Sequence, residues 1–550
     1  MDKKIILKYT LLNAIQHDGK ADVQAVLGKI VAEKPEFRNK IKELIPEIKK
    51  TVTEVNSWNK ERQQNEIKKI GVTVEKKVEE KKELPDLPNA KIGKVVTVFP
   101  PEPSKYPHLG HAKAALVNYL YAKKYKGKFI TRFEDTNPKL VKNEYYDAII
   151  NGLKWLGIKW DKLDYTSDHL EEFYKATEKL IKENKAYVCV CEQSEIKKNR
   201  RFMIECKCRN NPVEKNFELW KKMFTTFKEG EASVRIKISM DHKNAAMRDP
   251  SIMRIIDHPH PRTINKYRVW PMYDFATALI DGWEGVTHRV RSKEFEMRKE
   301  LQQFIQKAVG LKITYITEMA RFNLEGVPSS GRQIREMIRS KELTGWDDPR
   351  LTTLIALKKR GFDPEGIKEF LISTGVTKTE SMLTWDVLES FNRSVIDSKC
   401  NRYFAVFNPE EIKIIDAPEI DKVKVHLHPD FPKRGFREIP VNLNKILISR
   451  EDFDKFKGKE IRLIGLFNVK LDRKAKFTSK KLVMKMPKIQ WVSEENVPIK
   501  IVMSDGSVKE CVAEPEIKKL KVDDRIQLIR IGFTRIDQTK PRLVLYFTHR

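Results

Sequence analysis

Residues 94–125 constrain the fold of this 550-residue chain more than any other segment. The run Val95-Val96-Thr97-Val98-Phe99 has the composition of a strand buried on both faces. A proline-punctuated turn, Pro100-Pro101-Glu102-Pro103-Ser104, follows it. His108-Leu109-Gly110-His111 then leads into an alanine- and leucine-rich stretch that predicts a helix over 112–125. A strand feeding a helix through such a turn is the unit of a parallel sheet. The turn brings backbone N–H groups and the positive end of the helix dipole to a place where phosphate binds. Two histidines there can donate hydrogen bonds to a triphosphate as it loses pyrophosphate. By themselves they are also compatible with a metal-ligand pair or with ordinary turn residues.

The same texture continues, with a strand predicted over 129–133 and a helix over 144–156. Residues from 92 onward therefore predict an α/β domain that binds nucleotide at the strand C-termini. Helical spacing returns over 332–340 and 364–373. Beyond residue 399 short valine- and isoleucine-rich strands dominate, at 423–428, 461–469 and 525–533, and predict a β-barrel region. Residues 1–74 carry helical periodicity, and 75–91 form a charged, proline-ended linker. The length implies roughly three to five domains.

Lys and Arg number 107 against 77 Asp and Glu, a formal net charge of +30. Self-repulsion of that size is relieved by a polyanion, which makes nucleic acid the first partner to expect; a solvated lysine surface is the plainer alternative. No apolar run approaches the ~18 residues of a membrane span. The N-terminus has no cleavable signal pattern, so a cytoplasmic protein without membrane contact is expected. In that compartment clustered cysteines bind metal more readily than they form disulfides. Cys189, Cys191, Cys206 and Cys208 form two close pairs that can supply four thiolates to one structural Zn²⁺. Cys400 and Cys511 stand alone.

The stretch from Phe99 to His111 resembles the HIGH signature of class I aminoacyl-tRNA synthetases. Together with Arg132-Phe133-Glu134-Asp135-Thr136-Asn137-Pro138, residues 260–275, Glu284-Gly285-Val286-Thr287-His288 and Gly345-Trp346-Asp347-Asp348-Pro349-Arg350, it is similar to the glutamyl/glutaminyl branch. The β-rich tail resembles the archaeal and eukaryotic glutamyl-tRNA synthetases within that branch. The resemblance implies an α/β multidomain protein. A Rossmann-like catalytic domain would occupy 92–188 and 286–335, interrupted by an acceptor-binding insertion at 189–285 that carries the zinc site. A helical connector would span 336–400 and an anticodon-binding β-barrel region 401–550, with the 1–74 helical extension as a possible dock for partner proteins.

The implied activity is ATP- and Mg²⁺-dependent formation of glutamyl-adenylate and transfer of glutamate to tRNA(Glu), with tRNA(Gln) as a second acceptor left open by the sequence. His108, His111 and Arg332 would be catalytic, and Pro101, Gly110, Leu324 and Ser330 would complete the ATP site. Glu134 would hold the α-amino group, with Tyr273 in the same pocket. Arg291 would pair with the side-chain carboxylate, where glutaminyl enzymes carry cysteine; a guanidinium facing an amide would set donor against donor. Arg473, Lys474, Lys476, Lys480 and Lys481 are candidate anticodon contacts.

Two departures weigh against simple transfer. The family has an arginine where this chain has Val98, and glycine where it has Lys105, expected to face solvent or phosphate. In the KMSKS-like loop Ser329-Ser330-Gly331-Arg332-Gln333, Gly331 and Gln333 stand where lysines face the triphosphate, which leaves Arg332 as the central cation. A glutamine–tRNA ligase and a catalytically impaired paralogue that binds tRNA or protein partners are the alternatives.

Overall fold

The computed structural model describes residues 3–16, 19–33, 37, 41–70, 84–328 and 330–550, and its backbone contacts divide the chain into Met1–Glu83 and Leu84–Arg550. In the first unit, helices α1 (Lys3–Gln16), α2 (Val23–Glu33), α3 (Ile41–Ser57) and α4 (Lys60–Lys69) follow the predicted periodicity. They bury Ile6, Leu11, Val26, Ile30, Leu44 and Ile48 against one another. Residues 71–74 of the expected extension and 75–83 of the expected linker lie outside the described residues.

The second unit begins with 84–91, tied down where Tyr125 Oη accepts from the Leu87 amide at 3.0 Å. The predicted strand and helix then appear as β1 (Val96–Phe99) and α5 (Leu109–Lys124), followed by β2 (Lys128–Phe133), α6 (Asn143–Trp155) and β3 (Lys162–Tyr165). Helix α5 starts three residues earlier than the apolar spacing indicates, because the histidines themselves cap it. The His108 ring accepts from Gly110 N while His111 reaches back to the His108 amide, a reciprocal capping box.

After α7 (Leu170–Lys182) the chain leaves the main sheet. It builds an antiparallel four-stranded sheet from β4 (Ala186–Cys189), β5 (Ser233–Ile236), β6 (Ser251–Ile255) and β7 (Val269–Pro271), with α8 (Gln193–Phe202) and α9 (Val213–Thr225) between β4 and β5. It returns through α10 (Tyr273–Trp283) to β8 (His288–Ser292), α11 (Lys299–Val309) and β9 (Tyr315–Met319). The completed sheet has five parallel strands in the order β3-β2-β1-β8-β9. Strand order reverses at β1, so the crevice beyond the C-termini of β1 and β8 is the topological switch point where α/β sheets bind ligands. Strand β10 (Phe322–Leu324), α12 (Gly331–Arg339), α13 (Leu354–Arg360), α14 (Pro364–Ser373), β11 (Ser381–Leu383) and α15 (Trp385–Ile396) close one side of that crevice and lead to the β-rich end.

Residues 401–549 form two seven-stranded sheets of mixed direction around separate apolar cores, one including Ile461, Val469 and Trp491 and the other Ile499, Leu528 and Leu545, and a two-stranded antiparallel sheet of Lys422–His426 with Phe436–Pro440, where a strand was expected over 423–428. The segments expected as single strands over 461–469 and 525–533 are each a hairpin instead, Glu460–Leu463 with Asn468–Lys470 and Arg525–Leu528 with Gly532–Gln538. Residues with positive φ interrupt each run, Gly465 in the first and Arg530 and Gly532 in the second. Folding back lets Ile461 and Val469 bury in the same core.

Candidate functional site

A cavity of about 1100 Å³ opens at the switch point, with Phe99, Pro101, His108, His111, Glu134 and Tyr273 among its lining. Of the residues expected from sequence, Pro101, His108, Gly110, His111, Leu324, Glu134, Tyr273 and Arg291 all line it. Ser330 and Arg332 are exposed and outside the lining, and Ser329 lies outside the described residues. Helical geometry explains Arg332. Gly331 and Ile334 share the inward face of α12, and Arg335 is anchored by a 3.0 Å bond from its Nη1 to the Ser104 carbonyl, which leaves Arg332 turned outward.

The two histidine rings stand 4.1 Å apart. Nδ1 of His108 accepts from Gly110 N at 3.0 Å, and Nδ1 of His111 accepts from His108 N at 3.3 Å. A ring nitrogen that accepts from an amide carries no proton, so each neutral ring holds its proton on Nε2, available as a donor. Gly110 is required by the close approach, since a Cβ there would lie 2.8 Å from the His108 ring. Burial, then Lys105 and Arg321, push the His108 pKa down to about 3; burial, then His108 and Lys105, hold His111 well below 6.5. The pair can therefore offer hydrogen-bond donors and no charge.

Charge comes from elsewhere. Lys105, Lys113 and Arg291 line the cavity, and none has a carboxylate partner among the described residues. Burial lowers the pKa of all three, assisted at Lys105 by Arg321 and at Arg291 by Arg289. Lys113 lies 5.5 Å from the Phe322 ring centroid. The Lys105 stem fills the space above Gly331, where a Cβ would sit 2.7 Å from its Cδ. Arg291 spends its fork on neutral acceptors, Gln302 Oε1 at 2.8 Å and the Phe295 carbonyl at 3.0 Å. Buried cations left without counter-charge are costly, and an anionic occupant relieves that cost.

Beneath this lining lies an ion cluster. Arg132, fully buried, reaches Glu284 at 2.6 Å, Asp281 at 2.8 Å and Glu134 at 3.1 Å. Burial alone would lower its pKa; Asp281, Glu134 and Glu284 raise it instead. Arg289 reaches Asp281 at 3.1 Å and Glu134 at 3.6 Å. Glu134 Oε1 also accepts from Thr277 at 2.9 Å, while Oε2 has no hydrogen-bond partner. Sequence reasoning passed over Arg132, Arg289 and Lys113. For Arg289 a signal was present: it precedes Arg291 by two residues on a strand, hence on the same face.

In the antiparallel insertion the four expected thiols converge, all buried, with sulfurs within 4.8 Å of one another. Cys191 to Cys206 is 3.2 Å, Cys189 to Cys206 is 3.4 Å and Cys191 to Cys208 is 3.9 Å. A Zn–S length of about 2.3 Å sets tetrahedral corners about 3.8 Å apart, so the quartet fits a closed four-thiolate shell. Cys400 and Cys511 are buried and apart from it.

The comparisons agree with this architecture. The family described as tRNA synthetases class I (E and Q), catalytic domain, matches residues 94–398. Two anti-codon binding domain models of the same class match 400–486 and 488–537. The chain belongs to the class I tRNA synthetases of the E and Q type. It is similar to the glutamate–tRNA ligase of Pyrococcus furiosus, 42% identical over 574 residues and covering 100% of each chain. It is also similar to those of Nitrosopumilus maritimus, 41% identical over 576 residues with 100% of each covered, and Methanothermobacter thermautotrophicus, 35% identical over 553 residues with 99% of each covered.

The histidine geometry has a consequence for acid stability. Unfolded, His108 takes up a proton near 6.5; folded, it stays neutral to about 3. Its contribution to stability is therefore present above 6.5 and is lost as pH falls from 6.5 toward 3. In denaturant unfolding, His108→Asn should reduce the stability lost between about pH 7.5 and about pH 4.5 by roughly 2–3 kcal/mol relative to the parent. An unchanged loss means the ring titrates freely.

Proposed function

We propose that the chain is a glutamate–tRNA ligase that activates L-glutamate with ATP and transfers it to tRNA. The carrying observation is the set of cavity-lining cations without carboxylate partners among the described residues, Lys105, Lys113, Arg254 and Arg291, beside two neutral histidine donors. Triphosphate and carboxylate groups are the complement of that lining. The names of the relatives support the same activity.

In the first step a carboxylate oxygen of glutamate attacks the α-phosphorus of ATP, the bond to the β-phosphate breaks and pyrophosphate leaves. His108 and His111 donate from Nε2 to phosphate oxygens where charge develops, and their fixed Nδ1 bonds hold them there before substrate arrives. Lys105 supplies the cation at the loop centre in place of Arg332, since its ammonium lies by the histidines and has neither hydrogen bond nor ion pair among the described residues. Apart from the thiol quartet, no group of three or more metal-ligating side chains occurs among the described residues, so phosphate oxygens would be the chief ligands of Mg²⁺. When bound it neutralises phosphate charge. In the second step the terminal ribose hydroxyl of tRNA attacks the acyl carbon and AMP leaves.

Arg291 assigns the amino acid. A buried guanidinium without a counter-ion is matched by the γ-carboxylate, whereas the amide of glutamine leaves it uncompensated. The four thiols would hold Zn²⁺, which would tie β4 to the 206–210 turn in a structural role, since four thiolates leave no open position. Arg473, Lys474, Lys476, Lys480 and Lys481 are exposed on the β-rich end beside exposed Leu482 and Met484, a basic strip with apolar side chains suited to unstacked bases. tRNA(Glu) is the acceptor, and charging of tRNA(Glu) and tRNA(Gln) transcripts side by side reads which anticodons this strip admits.

ATP–pyrophosphate exchange with added tRNA should run with glutamate and fail with glutamine. Exchange with glutamine alone overturns the role of Arg291, and no exchange with either overturns the enzyme. Lys105→Ala should slow exchange on the order of a hundredfold, while Arg332→Ala stays within about threefold; the reverse order returns the loop cation to Arg332. Metal analysis should find about one zinc per chain, lost in Cys208→Ser.

A further inference from the structure

Val98 and Arg289 are neighbours in the sheet. Strand β1 pairs with β8 in parallel through Thr97 and His288, so the next residues along, Val98 and Arg289, fall side by side on one face. On that face Val98 contributes only apolar surface, packed with Ile130 and Val286 and absent from the cavity lining. Arg289 does line the cavity, at 2% exposure.

The pairing of Arg289 is incomplete in a particular direction. Nη1 meets Asp281 at 3.1 Å, but Nη2 makes no hydrogen bond and stands 3.6 Å from Glu134 Oε1. Oε2 of Glu134 is likewise buried without a partner. A buried donor and a buried acceptor left open side by side each carry a desolvation penalty that a ligand could remove. The ligand that satisfies both offers an acceptor anion to Nη2 and a donor cation to Oε2. An amino acid's α-carboxylate and α-ammonium have that arrangement on adjacent atoms.

We propose that Arg289 grips the α-carboxylate of the amino-acid substrate through Nη2, supplying from β8 the guanidinium that Val98 on β1 does not. This assignment rests on the amino-acid-activating function proposed above. Asp281 fixes the plane of the guanidinium through Nη1, Glu134 takes the ammonium, and Arg291, two residues along the same strand face, is left for the γ-carboxylate. One strand then carries the cations for both ends of a dicarboxylic substrate. The grip on the α-carboxylate is made before adenylation and orients the oxygen that attacks phosphorus.

The test compares the parent, Arg289→Val and the relocation variant Val98→Arg/Arg289→Val in glutamate- and ATP-dependent pyrophosphate exchange. Glutamol, in which hydroxymethyl replaces the α-carboxylate, serves as competitive inhibitor. Arg289→Val should raise KM for glutamate on the order of 30-fold or more, leave KM for ATP within about twofold, and leave the glutamol inhibition constant nearly unchanged. The relocation variant, which moves the guanidinium about 4.8 Å to the neighbouring strand, should recover part of the glutamate affinity. Equal losses for glutamate and glutamol, or an unchanged KM for glutamate, overturn the assignment while leaving the ligase function intact. Absence of glutamate-dependent exchange in the parent overturns both. If Arg289→Val does not fold, Arg289→Lys, which keeps the charge and loses the fork, carries the same comparison.

Discussion

The cavity depends on one fully buried guanidinium. Arg132 on β2 holds Asp281 and Glu284 from α10 and the loop after it, and Glu134 from the end of its own strand. Such a cluster is expensive to bury and contributes little net stability, but removing one member strands the others, a loss of about 3–5 kcal/mol. Its value here is geometric. It fixes α10 against the sheet, and α10 begins with Tyr273, which lines the cavity. It also leaves one oxygen of Glu134, a residue of the cavity lining, without a hydrogen-bond partner. The neighbouring Arg289 shares Asp281 and Glu134 with it, so the floor of the site is one connected ion network.

The histidine pair lines the same cavity. His108 and His111 cap α5 through Nδ1, which leaves Nε2 of each ring available as a donor. The capping role explains why the helix begins where it does, and burial explains why the rings are neutral. A charged imidazolium would have had to give up its amide bond at Nδ1. Fold and chemistry therefore place compatible demands on these two residues.

Much of this was legible in the sequence, for reasons that differ by residue. The strand–turn–helix at 94–125 and the alternation after it gave the parallel sheet, because hydrophobic period is a local property. The thiol quartet was legible from spacing alone. Pro101, His108, Glu134, Tyr273 and Arg291 could be picked out because each sits in a recognisable motif, and all line one cavity. Arg332 was the natural choice for the loop cation by position, yet its side chain faces outward because α12 is locked by Arg335 to Ser104. That contact joins segments 231 residues apart and has no signature in either. The hairpins within 461–469 and 525–533 were missed for a related reason: a run of apolar residues does not by itself show where the chain turns back.

The two departures from the family pattern take on a different meaning once neighbours in space are considered. Gly331 stands in the loop where a lysine was expected, and the side chain filling the space above it is Lys105, which replaces an expected glycine. Val98 stands where an arginine was expected, and the adjoining position on the next strand is Arg289. In each case a cation is absent from one segment and present on the segment packed against it. Electrostatic complementarity to an anion depends on where charge sits in space, not on which segment delivers it. A cavity of this kind can therefore keep its field while its sequence motif decays. Conversely, the loss of a single motif residue is weak evidence for lost function until the side chains facing that position have been identified. The constraint that limits such exchanges is steric: a side chain at position 331 meets the Lys105 stem, so it can be accommodated only where Lys105 shifts or is replaced.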